Sequence, residues 1–209
     1  MQQLPLGISP AREQDFANFV PGPNREALAR VRALAAQTLE ERIVYLWGTR
    51  GCGRSHLLAA AARANPQLVI ADDVQALDEH AQHVLFVAIN EAREGGPAVL
   101  AAGDAPPARL GMRPDLASRL AWGLVYQLLP LTDADKAEHL KALATARGLL
   151  LSDDVASYLL SRLPRDLTSL AAVMEVLDRY SLMRQRPLTL PLVREALREE
   201  MVGGQAEGR

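Results

Sequence analysis

Eight residues, Gly48-Thr49-Arg50-Gly51-Cys52-Gly53-Arg54-Ser55, constrain this chain more than any other stretch. The apolar run Ile43-Val44-Tyr45-Leu46-Trp47 precedes them and reads as a short buried strand. His56-Leu57-Leu58-Ala59-Ala60-Ala61-Ala62 follows and reads as a helix rich in Ala and Leu. In a strand–glycine turn–helix setting, backbone N–H groups curl round phosphate oxygens and the helix N-terminus adds its partial positive charge. On that reading Gly48, Gly51, Cys52, Gly53, Arg54, Ser55 and His56 form a nucleotide site, with Ser55 placed to ligate Mg²⁺. Arg54 stands where the usual pattern has Lys. It keeps the charge but is a wider planar fork, so phosphate binding should survive while hydrolysis geometry suffers. The plainer alternative is a glycine-rich turn that binds nothing.

A chain of 209 residues suits one α/β domain plus a small second one. Apolar content of 49% is ample for a core. A net charge of −2 argues against coating nucleic acid through the protein's own field, though not against a DNA-associated partner. The single cysteine, Cys52, has no internal disulfide partner, which fits a reducing cytoplasm and excludes a Cys/His metal framework. It reads either as a reactive thiol near a helix N-terminus or as a small loop residue. Neither a signal segment nor a bilayer-length apolar run is evident, so the expected location is cytoplasmic.

Residues 1–12 carry Pro5, Gly7 and Pro10, and are expected to form a flexible tail. Within it Gln2, Gln3, Leu4, Pro5 and Leu6 set two leucines beside glutamine, as in an extended peptide that docks in a partner's groove. Packing on its own domain is the other reading. Arg25 to Thr38 reads as a helix with Asn24 as N-cap. Gln67 to Asp73 reads as a buried strand closing on two carboxylates, Asp72 for a water-mediated Mg²⁺ contact and Asp73 for polarising a water. Capping of the next helix is the bland alternative for that acid pair. Asp78 to Glu94 reads as a helix with Leu85, Ile89 and Ala92 at core spacing. Ala98 to Asp104 and Gly123 to Leu128 read as the third and fourth strands, with Asp115 to Leu120 on a short helix between them. From Thr132 onward the pattern is all helical: Asp133 to Arg147, Ser152 to Leu163, Asp166 to Met183 and Pro191 to Met201.

This order of phosphate loop, Asp-Asp strand end, polar strand end, arginine helix and helical segment resembles the AAA+ ATPases, and within them the DnaA group. Phe16-Ala17-Asn18-Phe19-Val20-Pro21-Gly22-Pro23-Asn24 resembles the group's N-terminal box beside the adenine, implying roles for Phe19 and Val20. Gly103-Asp104-Ala105-Pro106-Pro107 resembles its sensor-one turn, implying a nucleotide contact from Asp104. Leu163-Pro164-Arg165-Asp166-Leu167 resembles its sensor-two segment, with Arg165 touching the nucleotide from the lid. Three features point more narrowly to the Hda group: Arg54 for lysine, the tail, and Asp115-Leu116-Ala117-Ser118-Arg119-Leu120-Ala121-Trp122-Gly123, which resembles that group's arginine-finger segment.

The resemblance implies an α/β fold: an AAA+ P-loop domain with a parallel sheet followed by an all-helical lid. Its boundaries are expected at 1–12 for the tail, 13–130 for the nucleotide-binding domain, 131–203 for the lid and 204–209 for a disordered end. Only about 17 residues separate Ser55 from Asp72, and one helix fills much of that. A parallel crossover needs a dozen residues or more, so the sheet should lack one edge strand of the family; deleting that strand from the arrangement the resemblance implies leaves four strands in the order 4-1-3-2.

The functional implication is a regulator of replication initiation. It binds ADP (or ATP) with Mg²⁺, binds the DNA polymerase III beta sliding clamp through Gln2 to Leu6, and meets DNA only through the loaded clamp. With Arg119 as a catalytic finger in trans, it stimulates hydrolysis of the ATP held by DnaA. The tail's Gln-to-Leu spacing is one residue shorter than the expected clamp peptide, which puts the register in question. The chain ends soon after the lid, so no helix-turn-helix domain is expected. A homo-oligomer is compatible with the sequence, and no membrane partner is expected. Two rival classes stand beside this one, an ATP-driven remodeller or loader and a scaffold that nucleotide merely stabilises.

Overall fold

The computed structural model describes residues 13–164 and 166–203. They divide into two compact units that meet in sequence between Leu131 and Thr132.

The first unit holds four parallel strands: β1 (Ile43–Trp47), β2 (Val69–Ala71), β3 (Val99–Gly103) and β4 (Leu124–Gln127). Their order is β2-β3-β1-β4. This is the order expected from the family arrangement once the edge strand that the short Ser55–Asp72 connection leaves no room for is removed. Register is continuous, with Tyr45 opposite both Ala101 and Val125, and Ile70 opposite Leu100. The two central strands are apolar runs because both of their faces are covered, whereas β4, at an edge, alternates between half-buried and exposed. The β2 segment is shorter than the run Gln67–Asp73 suggested, and its three residues are half-buried rather than buried. An edge position explains both, since only one neighbour pairs with it.

Alternation along β1 splits the core in two. Val44 and Leu46 pack with Leu100 and Ala102 against α1 (Arg25–Ala35) and α2 (Arg54–Ala64). Ile43 and Tyr45 pack with Val99 and Ala101 against α3 (Glu79–Arg93) and α4 (Pro114–Leu120). The spacing of Leu85, Ile89 and Ala92 puts all three on the buried face of α3. Asp78 caps that helix, accepting from the Ala81 N–H.

Asn24 does something other than cap α1. Its side chain makes no capping bond, and instead donates to the Leu129 carbonyl and accepts from the Leu129 N–H, both at 2.8 Å. A buried amide thus ties the start of α1 to the chain leaving β4.

The second unit packs α5 (Asp133–Thr145), α6 (Asp153–Arg162), α7 (Leu167–Arg184) and α8 (Leu190–Gly203) around Leu140, Leu159, Leu170, Met174, Leu177 and Val193. Three of the four starts are signed in sequence. Thr132 and Asp135 form a reciprocal capping box, Ser152 accepts from Val155, and Asp166 accepts from Ser169. Arg147, just past the end of α5, pairs with Glu175 at 3.7 Å and Asp178 at 4.0 Å on α7. Among the described residues no helix is long and apolar enough to cross a membrane.

Candidate nucleotide site and arginine helix

Parallel strands end on one side of a sheet, and three of those ends converge here. The loop Gly48–Gly53 leaves β1, Asp72 and Asp73 leave β2, and Asp104 leaves β3, on three adjacent strands. The Gly48 N–H donates to the Gly103 carbonyl at 3.3 Å, and a Cβ at Gly48 would press on the Leu128 carbonyl and the Cys52 sulfur. Gly53 has φ of 101°, and a Cβ there would lie 2.8 Å from the Phe19 ring. A side chain is therefore excluded twice, by the left-handed backbone and by the close ring. No side chain caps the first turn of α2, whose N–H groups are left to a ligand or solvent. Ser55 lies exposed in that turn.

Arg54 runs from the loop toward the end of β2. Its Nη2 donates to Asp73 Oδ1 at 3.2 Å, and its Nη1 is buried without a partner among the described residues. A buried donor left unmade costs roughly 1–3 kcal/mol, more when charged. Asp73 itself has φ of 44°, a conformation that Asp tolerates better than most residues. The same Oδ1 accepts from Gln75 Nε2 at 3.1 Å, and Gln75 Oε1 accepts from the Asp104 N–H at 3.2 Å. Loop, acidic strand end and Asp104 turn are thus joined through one glutamine. Asp72 is half-buried, and its carboxylate accepts from the Asp73 N–H at 2.8 Å.

Beneath this network the Tyr45 hydroxyl donates to the Ala105 carbonyl at 2.8 Å, pinning the turn after β3. Burial first, and then the negative charge of Asp104, push the Tyr45 phenol well above its ordinary range. Burial likewise raises the Cys52 thiol, which marks it as packing rather than as a nucleophile.

The N-terminal box folds against α2. Asp15 accepts from the N–H groups of Ala17 and Asn18, and the Asn18 contact chiefly holds its carboxyl below the usual range. The Asp15 carbonyl lies 2.9 Å from His56 Nε2, and the Phe19 and His56 rings meet edge to face at 5.3 Å. Val20 is half-buried beside Phe19. Arg165 and the tail Gln2, Gln3, Leu4, Pro5 and Leu6 lie outside the described residues.

Arg119 stands on another surface. Its Nε donates to Asn90 Oδ1 at 2.9 Å and its Nη1 to the Asp115 carbonyl at 3.3 Å. The guanidinium carbon lies 3.8 Å from the Phe86 ring centroid and 5.0 Å from that of Trp122. No carboxylate among the described residues meets it. The nearby Asp115 carboxylate accepts Nε and Nη2 of Arg113 instead, which draws its pKa down. Arg119 is half-buried, so an aromatic face and an amide set its direction while part of the cation stays open to solvent.

Against this geometry the comparisons are consistent. Residues 133–197, nearly all of the helical unit, match the family of the Hda lid domain. Domain III of the Thermotoga maritima replication initiation protein DnaA superposes with a TM-score of 0.66 at 20% identity, over 91% of this chain and 98% of that one. The helical unit thus matches the Hda lid family, and the chain shares the fold of DnaA domain III. AMPPCP-bound DnaA from Aquifex aeolicus gives a TM-score of 0.66 at 21% identity, over 79% of this chain and 65% of that one. A RuvB mutant from Thermotoga maritima gives 0.63 at 15% identity, over 90% of this chain and 72% of that one. At such identities these superpositions establish the AAA+ fold alone.

Three residues that organise these sites were given no role from the sequence: Gln75, Phe86 and Asn90. Phe86 and Asn90 are four apart on α3 and so share a face. That spacing was visible, but the face's partner, 29 positions away on α4, was not.

Proposed function

We propose that this protein is a regulator that binds a nucleotide at the Gly48–Ser55 loop, docks on the DNA-loaded sliding clamp through Gln2–Leu6, and presents Arg119 to the ATP held by DnaA. Hydrolysis of that ATP would inactivate the initiator and prevent re-initiation. The observation that carries the reading is Arg119, a half-exposed guanidinium steered by Asn90 and Phe86 with no carboxylate of the described chain neutralising it. A guanidinium reaching a partner's γ-phosphate stabilises charge that develops in the transition state, which can raise the rate by roughly 10³–10⁵. That is about 4–7 kcal/mol of barrier at ~1.4 kcal/mol per decade.

The residues at the loop fit a nucleotide. Two left-handed glycines, an uncapped helix start and a buried Arg54 donor without an acceptor all suit a phosphate group. AMPPCP in the Aquifex aeolicus relative supports the same reading. Ser55 and Asp72 would hold Mg²⁺, with Asp73 alongside, and the ion would supply charge neutralisation at the phosphates. Phe19 and Val20 would line the base and Asp104 the phosphate side. ADP is the expected nucleotide. With Arg54 committed to Asp73, the acid that would polarise an attacking water is already engaged, which favours a regulator over an ATP-driven remodeller. The test is hydrolysis of DnaA-bound ATP with this protein, loaded clamp and ADP present. Acceleration supports the regulator. Vigorous turnover by the isolated chain supports a remodeller, and neither supports a scaffold.

A further inference from the structure

Arg119 shares its aromatic support with a second guanidinium. Arg93, the last residue of α3, is exposed, and its guanidinium carbon lies 4.4 Å from the Trp122 ring centroid. Arg119 meets the same ring at 5.0 Å. Among the described residues Arg93 makes no ion pair and no side-chain hydrogen bond, only this ring contact. Arg113, the third guanidinium on this face, is spent on Asp115 at 2.7 Å. The indole is itself held in place. Its backbone N–H donates to the Arg119 carbonyl at 3.1 Å, and a Cβ at Gly123 would press on the Ile43 carbonyl. Trp122 nevertheless stays 45% exposed.

Two like charges brought to one ring repel, and the electron-rich face of the indole offsets only part of that. An anion with more than one charge, laid across the pair, completes it. The dipole of α3 also favours a cation at its last turn, but it does not place that cation on the ring that Arg119 uses.

Building on the regulator reading above, we infer that Arg93 is a second cation for the partner's nucleoside triphosphate, contacting the phosphates that are not transferred while Arg119 meets the γ-phosphate. Arg119 is steered by Asn90 and the Asp115 carbonyl, so it serves one fixed position. Arg93 has no such bonds and is set apart by the indole, which suits a neighbouring phosphate group. Charge on the phosphates left behind changes little on the way to the transition state. A contact there tightens the complex and hardly moves the maximal rate.

The test compares the native protein, Arg93→Ala and Arg93→Lys, each loaded with ADP and freed of excess. Hydrolysis of DnaA-bound ATP is followed against regulator concentration with loaded clamp, and binding is measured to DnaA carrying AMPPCP or no nucleotide. Arg93→Ala should raise the half-saturating concentration about tenfold and keep the maximal rate within about twofold. It should weaken binding to AMPPCP-loaded DnaA about tenfold and leave binding to nucleotide-free DnaA as it was. Arg93→Lys, which keeps a point charge, should stay within about threefold of the native protein. An unchanged half-saturating concentration for Arg93→Ala overturns the inference. So does equal weakening on nucleotide-free DnaA, which would place a partner carboxylate on Arg93, and so does a lysine variant no better than alanine. A native protein that neither binds DnaA nor speeds its hydrolysis sinks the regulator reading itself, whatever Arg93 does.

Discussion

Asn90 and Arg119 meet across α3 and α4, the amide oxygen of one accepting from Nε of the other at 2.9 Å. That bond occupies the inner edge of the guanidinium and so decides which way its fork points. Asn90→Ala should cut stimulation of DnaA-bound ATP hydrolysis about 5- to 30-fold, the equivalent of roughly 1–2 kcal/mol of lost orientation. Asn90→Asp should fare no better, because a carboxylate would hold the cation in an ion pair. Both variants should melt close to the native protein. Full stimulation by either one would show that Arg119 needs no positioning.

Asn24 offers a test of the fold. Its two bonds to the Leu129 backbone close a contact spanning 105 positions. Asn24→Ala should lower stability by about 1–2 kcal/mol in urea titration. Asn24→Ser, which can supply a helix cap but not the bridge, should recover little. Recovery by serine would mean that capping was the role after all.

These cases show what could be read in advance. The β1 strand was legible because five apolar residues run between Arg42 and Gly48. The buried triplet of α3 was legible from helical spacing, the strand count from the length of one connection, and the strand order from the family resemblance. Asn24 was misread because a residue before a helix offers a local role, whereas its actual partner is brought in only by the folded sheet. The Arg54–Asp73 pair was invisible for the same reason. Each residue had a familiar role of its own, and only the adjacency of strand ends let them engage one another.

Two buried groups give the stability a sign at alkaline pH. Cys52 and Tyr45 both have folded pKa values above their ordinary 9.0 and 10.0, chiefly through burial. The unfolded chain loses these protons first, so the stability from keeping them is intact below pH 9 and is lost as pH rises toward the folded values. Melting temperature should hold level from pH 7 to about 9 and then fall. Cys52→Ala should delay the onset, and Tyr45→Phe should flatten the steeper fall beyond 10. An onset unmoved by either substitution would assign the transition to other groups.

The N-terminal tail can be separated from the fold. Leu4→Ala with Leu6→Ala should abolish binding to the sliding clamp in surface plasmon resonance without moving the melting temperature. A large fall in stability would instead mean that the leucines pack on their own domain.

The central claim rests on Arg119 acting at a partner's nucleotide rather than its own. Its partners are Asn90, Phe86, Trp122 and the Asp115 carbonyl, all on α3, on α4 or just beyond it, and none in the phosphate loop. The direct measurement is the rate of hydrolysis of DnaA-bound ATP in the presence of loaded clamp, ADP and either native protein or Arg119→Ala. The variant should fold, bind ADP and bind clamp as the native protein does, yet lose the stimulation, a drop of roughly 10³-fold or more. Arg119→Lys should rescue little, since a point charge lacks the fork that reaches two oxygens. Normal stimulation by Arg119→Ala would contradict the account.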